Sequence, residues 1–136
     1  MDTKKATPFA QQIKGKTGFR RIMNAYGYSL AGLKAALSEA AFRQLLVFHV
    51  VLIVLAFILD FGPATRMMLI MASFISWIVE LFNTAIEAAV DHTSLAKHPL
   101  AKRAKDTASA AQFLALTLVV ILWLMALWRD YGPNVF

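Results

Sequence analysis

The sequence predicts an all-α membrane protein, in which an N-terminal amphipathic surface helix is followed by three transmembrane helices. Three observations support this fold class. Of the 136 residues, 59% are apolar, three long apolar segments alternate with polar connections, and the basic residues cluster beside those segments. An ordinary soluble domain carries a smaller apolar fraction, and a chain of this length has room for one domain rather than two.

The N-terminal region divides into a tail and a helix. Residues 1–16 are polar and basic without useful periodicity, which predicts a disordered tail, and residues 17–136 then form the single domain. Apolar residues recur at helical spacing over residues 18–38, which predicts an amphipathic helix. The apolar segments that follow favour a location of this helix in the membrane interface, and packing against a core is the alternative. Gly27 and Gly32 weaken the helix or mark a bend.

Three apolar segments predict membrane spans at about 41–60, 65–91 and 107–129. The third is close to the roughly 20 residues that a helix needs to cross a bilayer. The first two spans are joined by "DFGPATR" (60–66), which contains a Gly-Pro turn signal. A polar, basic loop over 91–108 joins the second span to the third.

The distribution of basic residues orients the spans. Eight of the 14 Lys and Arg residues precede Leu45, and four more lie between Lys97 and Lys105. The positive-inside rule therefore predicts that the N-terminus and the 91–108 loop are cytoplasmic. It places the 60–66 connection and the C-terminus outside. Basic residues that flank apolar segments argue against a nucleic-acid binder, whose charge would line a soluble face. The absence of cysteine excludes disulfides, thiolate metal sites and cysteine nucleophiles.

One apolar span carries an unexpected row of polar residues in "WIVELFNTAIEAAVD". Glu80, Asn83, Glu87 and Asp91 lie on one stripe of about 80° and climb about 16 Å along a helix. Hydrogen bonds between packed helices could explain such a stripe, but one amide or hydroxyl would serve that purpose. An ionisable group at the bilayer centre costs at least about 2.5 kcal/mol, so several carboxylates favour a functional site.

These residue types suit phosphate chemistry. Carboxylates from neighbouring helices can hold Mg²⁺, and one carboxylate can accept the proton of a hydroxyl group. Two further segments could contribute. In "SEAAFRQ", Glu39 could be a functional acid, but an ion pair with Arg43 explains it equally well. In "AKRAKDTASAA", membrane anchoring explains the basic residues, whereas Asp106 lies beside small residues that permit close helix approach. No Gly-rich phosphate loop is present.

Three separated motifs occur in an order that resembles one family. They are "ELFNTAIEAAVD" (80–91), "EAAFRQ" (39–44) and "RAKDTASAA" (103–111), and the upstream segment "TGFRRIMNAYGYSLAGLKAA" (17–36) agrees with them. Together they resemble the bacterial integral-membrane diacylglycerol kinases over most of the chain. The resemblance implies a lipid kinase that transfers the γ-phosphate of MgATP to diacylglycerol and forms phosphatidic acid. It further implies a multi-pass protein of the bacterial inner membrane, and homotrimers with composite active sites between neighbouring subunits.

The resemblance also implies roles for individual residues. Glu80 corresponds to the catalytic base and Asn83 to its polar support, while Glu39 and Glu87 correspond to the Mg²⁺ ligands. We expect direct in-line transfer without a phosphoenzyme, because the base lies at the lipid end of the stripe and the metal at the nucleotide end.

Five further residues correspond to the nucleotide side of the site. Lys105 matches a phosphate-contacting lysine, Asp106 a nucleotide-contacting acid, and His98 a histidine in the loop. Asp91 lies near the metal ligands, and Arg21 matches a basic residue on the surface helix.

The sequence departs from the family pattern at several positions. Phe82 is bulkier than the usual aliphatic residue, and Asn24 stands where a lysine is common, which would remove a phosphate-side contact. Leu45 replaces a frequent acidic residue, and Lys102 and Pro99 make the loop different. The central residues of the stripe are intact, so activity is expected to survive these changes.

Other functions are compatible with parts of the pattern. An undecaprenol kinase would share the fold and the chemistry but phosphorylate a polyprenol, and an apolar cleft selects weakly between long lipids. A small transporter or proton-relay subunit could also use intramembrane carboxylates. A relay should continue across the membrane, yet the first and third spans carry no acid in their middle. A purely structural three-span scaffold leaves the stripe unexplained.

Overall fold

A computed structural model describes residues 18–93 and 98–133, which form four α-helices. They are α1 (Phe19–Ser38), α2 (Ala40–Ile58), α3 (Pro63–Thr93) and α4 (Pro99–Tyr131). No strand occurs in these two ranges. The predicted fold class, an N-terminal helix followed by three membrane-spanning helices, is therefore confirmed. The predicted disordered tail, residues 1–16, lies outside the described residues.

The chain divides into two compact units, one ending at Ala35 and the other beginning at Ala36. In the first unit, Gly18 adopts a φ of 80°, which suits glycine, and its carbonyl accepts a hydrogen bond from the Arg21 amide at the start of α1. All residues from Gly18 to Ala35 are exposed. The helix continues through Gly27 and Gly32, so neither glycine interrupts it.

The second unit is built around α3, which packs along both α2 and α4. The buried residues of α3 and α4 recur every three or four positions, as one face of each helix requires. Many of them are small, and small residues let helix backbones approach closely. The main apolar cluster comprises Ala56, Phe61, Leu69, Ala72, Val119, Trp123 and Ala126.

Helices α2, α3 and α4 are long and apolar enough to cross a membrane. Their most apolar windows have mean hydropathies of 2.3, 1.7 and 2.4, and at most 28% of any window is buried inside the chain. Most of the apolar surface therefore faces outward, where lipid tails or other apolar surfaces can cover it.

One end of this unit, which we call the Asp60 end, contains the connection between α2 and α3. Arg66 donates to the backbone carbonyls of Ala56 (2.9 Å) and Phe61 (3.1 Å) and lies over the Phe57 ring. The Tyr131 hydroxyl accepts a hydrogen bond of 2.8 Å from the Asp60 amide. The Arg66 bonds satisfy the Ala56 carbonyl near the end of α2 and the Phe61 carbonyl in the connection, and the Tyr131 bond satisfies the Asp60 amide.

The opposite end, which we call the Asp91 end, corrects the predicted 91–108 loop. Helix α3 continues to Thr93, and α4 begins at Pro99. Proline is tolerated in the first turn of a helix because its missing N–H needs no partner there. The His98 side chain caps α4 by accepting a hydrogen bond from the Leu100 amide. The charged residues assigned to the loop therefore lie largely on helices.

Replacement of Arg66 by Gln should lower the free energy of unfolding by about 1–3 kcal/mol, because two carbonyl groups lose a charged donor. The measurement is unfolding in mixed detergent micelles, followed by tryptophan fluorescence. Arg103→Gln is the matched control, because the Arg103 side chain is exposed and unpaired within the described ranges. The control should stay within about 0.5 kcal/mol of the parent protein. Equal losses in both variants would contradict the role of Arg66.

Candidate functional site

The predicted polar stripe lies on α3 and continues the buried face of that helix. Ser76 and Glu80 are buried, Asn83 is half-buried, and Glu87 and Asp91 are exposed. All five positions fall within the same sector of about 80° at 100° per residue. The stripe therefore runs from the interior of the bundle to the surface at the Asp91 end.

Glu80 faces a cavity of about 500 Å³, which we call the Glu80 cavity. Residues of α2 and α4 complete its lining: Ala41, Gln44, Leu45 and Phe48 from α2, and Gln112, Leu116 and Val120 from α4. The Glu80 residue is 7% exposed, and no side chain or amide in the described ranges is hydrogen-bonded to it. Its carboxylate lone pairs are therefore available to a molecule that enters the cavity.

The neighbours of Glu80 along the stripe are polar as well. The Asn83 side-chain oxygen is buried and has no hydrogen-bond partner in the described residues. Glu87 lies two turns beyond Glu80 on the same helix face, and two negative charges at this spacing would repel each other. A cation bound between this stripe and a second set of oxygen ligands would relieve that repulsion.

Ion pairs connect the charged residues at the Asp91 end. Lys105 on α4 donates to the Asp91 carboxylate on α3 at 2.7 Å, and its ammonium group also attracts Glu87. Lys102 and Asp106 form an exposed pair one turn apart on α4, at 2.5 Å. Exposed pairs of this kind contribute about 0–1 kcal/mol to stability, so a bound anion could displace either partner at little cost.

Glu39 lies at the junction between α1 and α2 and does not pair with Arg43. The Arg43 guanidinium instead donates to the backbone carbonyls of Leu37 (3.0 Å) and Ser38 (2.7 Å). The predicted alternative, an intrahelical ion pair between Glu39 and Arg43, is therefore wrong. Glu39 has extended backbone angles (φ −80°, ψ 130°) and precedes the first turn of α2, so the two residues do not share a helix face. Its carboxylate is exposed.

The remaining predicted residues are located as follows. His98 is the residue before α4, and its Nδ1 accepts the capping hydrogen bond of 3.2 Å from Leu100. Arg21 is exposed on α1, in the first unit. Of the departures from the family pattern, Phe82 is exposed and Leu45 contributes an apolar wall to the Glu80 cavity.

No group of three or more His, Asp or Glu side chains within the described ranges could hold a metal ion in one copy of the chain. Glu39 and Glu87 are nevertheless suited to Mg²⁺ by their chemistry. Both are exposed carboxylates outside any ion pair of the described residues, and hard cations prefer such oxygens.

Three buried polar residues were not among the predicted site residues. Gln112 on α4 donates a hydrogen bond of 3.2 Å to the Ser76 hydroxyl on α3. His49 on α2 is fully buried against the edge of the Trp77 ring, and neither of its nitrogens has a partner in the described residues. The available signal was that Gln112 and His49 are isolated polar residues in otherwise apolar spans.

Comparison with known proteins identifies a family. The sequence model described as "Prokaryotic diacylglycerol kinase" matches residues 27–127. A diacylglycerol kinase of Pseudomonas aeruginosa is 55% identical over 112 residues, which cover 82% of this chain and 91% of the relative. A diacylglycerol kinase of Escherichia coli K12 is 46% identical over 117 residues, or 85% and 96% of the two chains. One from Helicobacter pylori is 46% identical over 107 residues, or 78% and 84%.

Proposed function

The chain belongs to the prokaryotic diacylglycerol kinase family, and from this premise we propose that it transfers the γ-phosphate of MgATP to the hydroxyl of diacylglycerol. The product is phosphatidic acid. Family membership makes the protein an ATP-dependent lipid kinase. The observation that carries the proposal is the buried, unpaired Glu80 carboxylate in a largely apolar cavity, at the inner end of a stripe that leads to charged residues.

Glu80 is the general base in this proposal. Its carboxylate accepts the proton of the lipid hydroxyl while the hydroxyl oxygen attacks the γ-phosphorus, and the bond to the ADP oxygen breaks. One P–O bond forms and one breaks, so no phosphoenzyme is needed. Asn83, one turn away, supports the base by offering its amide to the Glu80 carboxylate and the lipid hydroxyl.

The nucleotide binds at the Asp91 end, where the basic residues of α4 are exposed. Lys105 exchanges its ion pair with Asp91 for a phosphate oxygen, which is a comparable partner for an ammonium group. Asp106 and His98 contact the nucleotide from the first two turns of α4 and its cap, and Arg21 contributes from α1. Electrostatic stabilisation by such groups replaces the absent Gly-rich loop.

Glu39 and Glu87 are the proposed ligands of Mg²⁺. The ion, when bound with ATP, neutralises charge on the phosphate oxygens during transfer. The assembly is a homotrimer with composite active sites, in which the carboxylates of one site come from neighbouring subunits. This arrangement agrees with the lack of a three-ligand group in the described part of one chain.

The proposed location is the bacterial inner membrane, with residues 17–136 as one kinase domain. The N-terminus and the segment around residues 91–108 face the cytoplasm, where MgATP is available, because basic residues concentrate there. An undecaprenol kinase is the competing proposal, since the Glu80 cavity is mostly apolar. A transporter is disfavoured because α2 and α4 carry no acid in their middle.

The deciding experiment offers the purified protein MgATP with diacylglycerol or with undecaprenol in lipid-detergent micelles. We expect labelled phosphate to appear in phosphatidic acid, with a higher kcat/KM for diacylglycerol. The absence of any phosphorylated lipid would refute the kinase proposal. Preferential labelling of undecaprenol would replace the proposed acceptor and leave the chemistry intact.

Replacement of Glu80 by Gln should reduce kcat by about 10²–10⁴-fold, because the amide cannot accept the hydroxyl proton. The assembly should remain the same size by light scattering, since Gln is nearly isosteric. Asp60→Asn is the matched control, because this exposed carboxylate lies at the other end of the bundle. A Glu80 variant with near-normal turnover would remove this residue as the base.

Replacement of Glu87 by Gln should raise the Mg²⁺ concentration for half-maximal rate by roughly tenfold or more, because one charged oxygen ligand is lost. The measurement is the initial rate across a Mg²⁺ titration at fixed ATP, again with Asp60→Asn as control. An unchanged titration curve would exclude Glu87 as a metal ligand.

A further inference from the structure

Gln112 is a buried amide that faces the same cavity as the proposed base. It is 9% exposed, and it lines the Glu80 cavity from α4. Its Nε2 donates one hydrogen bond to the Ser76 hydroxyl, and its Oε1 is buried without a partner among the described residues. The amide thus retains a second N–H and a carbonyl for another molecule.

Helix association alone explains this arrangement poorly. An amide that serves only to join two helices would satisfy its polar groups between them, because unpaired polar groups are costly in an apolar environment. Here the amide makes one bond to Ser76, its Oε1 has no partner among the described residues, and its second N–H is left for another molecule. The Ser76 bond instead fixes the amide beside the cavity.

Besides Gln44 on α2, the cavity has two polar side chains, Glu80 and Gln112, which lie at different positions along the bundle. Glu80 lies one turn nearer the Asp91 end than Ser76, which holds Gln112, and the backbone positions of Glu80 and Ser76 differ in depth by about 6 Å. Leu116 and Val120 follow Gln112 at successive turns of α4 toward the Asp60 end and are apolar. The cavity therefore offers a carboxylate, then an amide, then an apolar wall.

A diacylglycerol molecule carries the complementary groups in the same order. Its primary hydroxyl is followed a few bonds away by ester carbonyls, and then by acyl chains. A polyprenol carries a hydroxyl followed directly by hydrocarbon. A hydroxyl directed at Glu80, toward the nucleotide end, would bring an ester carbonyl to the depth of Gln112.

We propose that Gln112 is an acceptor-specificity residue, which donates its second amide N–H to an ester carbonyl of diacylglycerol. This inference rests on the proposed lipid kinase function and names the group that distinguishes its substrate. A site built to hydrogen-bond a substrate discriminates against analogues that lack the bonding group, whereas an apolar cleft discriminates weakly. Ser76 is a positioning residue in this scheme, because it holds the amide by its other N–H.

The test compares dioleoylglycerol with the dioleyl diether of glycerol, which keeps the hydroxyl and both chains but lacks the carbonyls. The parent protein should phosphorylate the diester with a kcat/KM roughly tenfold higher, mainly through KM. In Gln112→Leu the ratio should fall to about one, because the diester rate drops and the diether rate does not. Ser76→Ala should reduce the ratio partially.

Thr117→Val is the matched control, because its hydroxyl bonds to its own helix at Phe113 and Thr117 does not line the Glu80 cavity. The control should keep the parent ratio. Equal kcat/KM for the diester and the diether in the parent protein would overturn the inference. An unchanged diester-to-diether ratio in Gln112→Leu, or an equal loss of rate for both lipids in that variant, would overturn it as well. Phosphorylation of neither glycerol lipid would refute the proposed kinase function itself.

Discussion

The burial of the Glu80 carboxylate between three apolar helices is the constraint on which the rest of the bundle depends. A carboxylate in an apolar environment is costly unless a partner, a proton or a polar cavity compensates for it. In the described residues Glu80 has no hydrogen-bond partner, and it faces a cavity rather than a packed interior. The helices around it leave an opening at this depth, and toward the Asp60 end an apolar cluster of large side chains and the small residues Ala56, Ala72 and Ala126 holds the bundle together.

The same constraint explains why the two ends of the bundle differ. Toward the Asp60 end the buried face of α3 is apolar or carries small hydroxyl groups, which can bond to their own helix as Ser73 does to the Leu69 carbonyl. Toward the Asp91 end the same face becomes acidic and exposed, and α4 supplies the opposing Lys105. In the proposed function, a lipid and a nucleotide require such opposite environments, and one continuous helix face would provide both.

The fold and the polar stripe could be predicted because they depend on regular spacing. Apolar segments of sufficient length predict spans, and residues separated by three, four or seven positions share a helix face whatever their neighbours are. The stripe from Glu80 to Asp91 follows from this geometry alone. The role of each residue came from the family resemblance, and those roles stay predictions.

Features that depend on contacts between helices, or on the exact end of a helix, could not be predicted. The cap at His98 lets α4 begin at Pro99. The sequence predicted a loop there, because the segment is charged and contains a proline. The Arg43 guanidinium binds the carbonyls of Leu37 and Ser38 because a helix ends at Ser38. The four-residue spacing from Glu39 to Arg43 does not reveal this helix end. The hydrogen bond of Gln112 to Ser76 depends on how α4 packs beside α3, which the sequence does not show.

The junction between α1 and α2 consists of a single residue, Glu39, and this has a consequence for how the family can vary. A side chain on a one-residue joint is aimed by the backbone corner, which Arg43 fixes by binding the carbonyls of Leu37 and Ser38. A substitution at a neighbouring position that keeps Arg43 leaves these bonds unchanged. An inserted or deleted residue would rotate the adjoining turn by about 100° and redirect the carboxylate. The joint should therefore accept changes in composition more readily than changes in length.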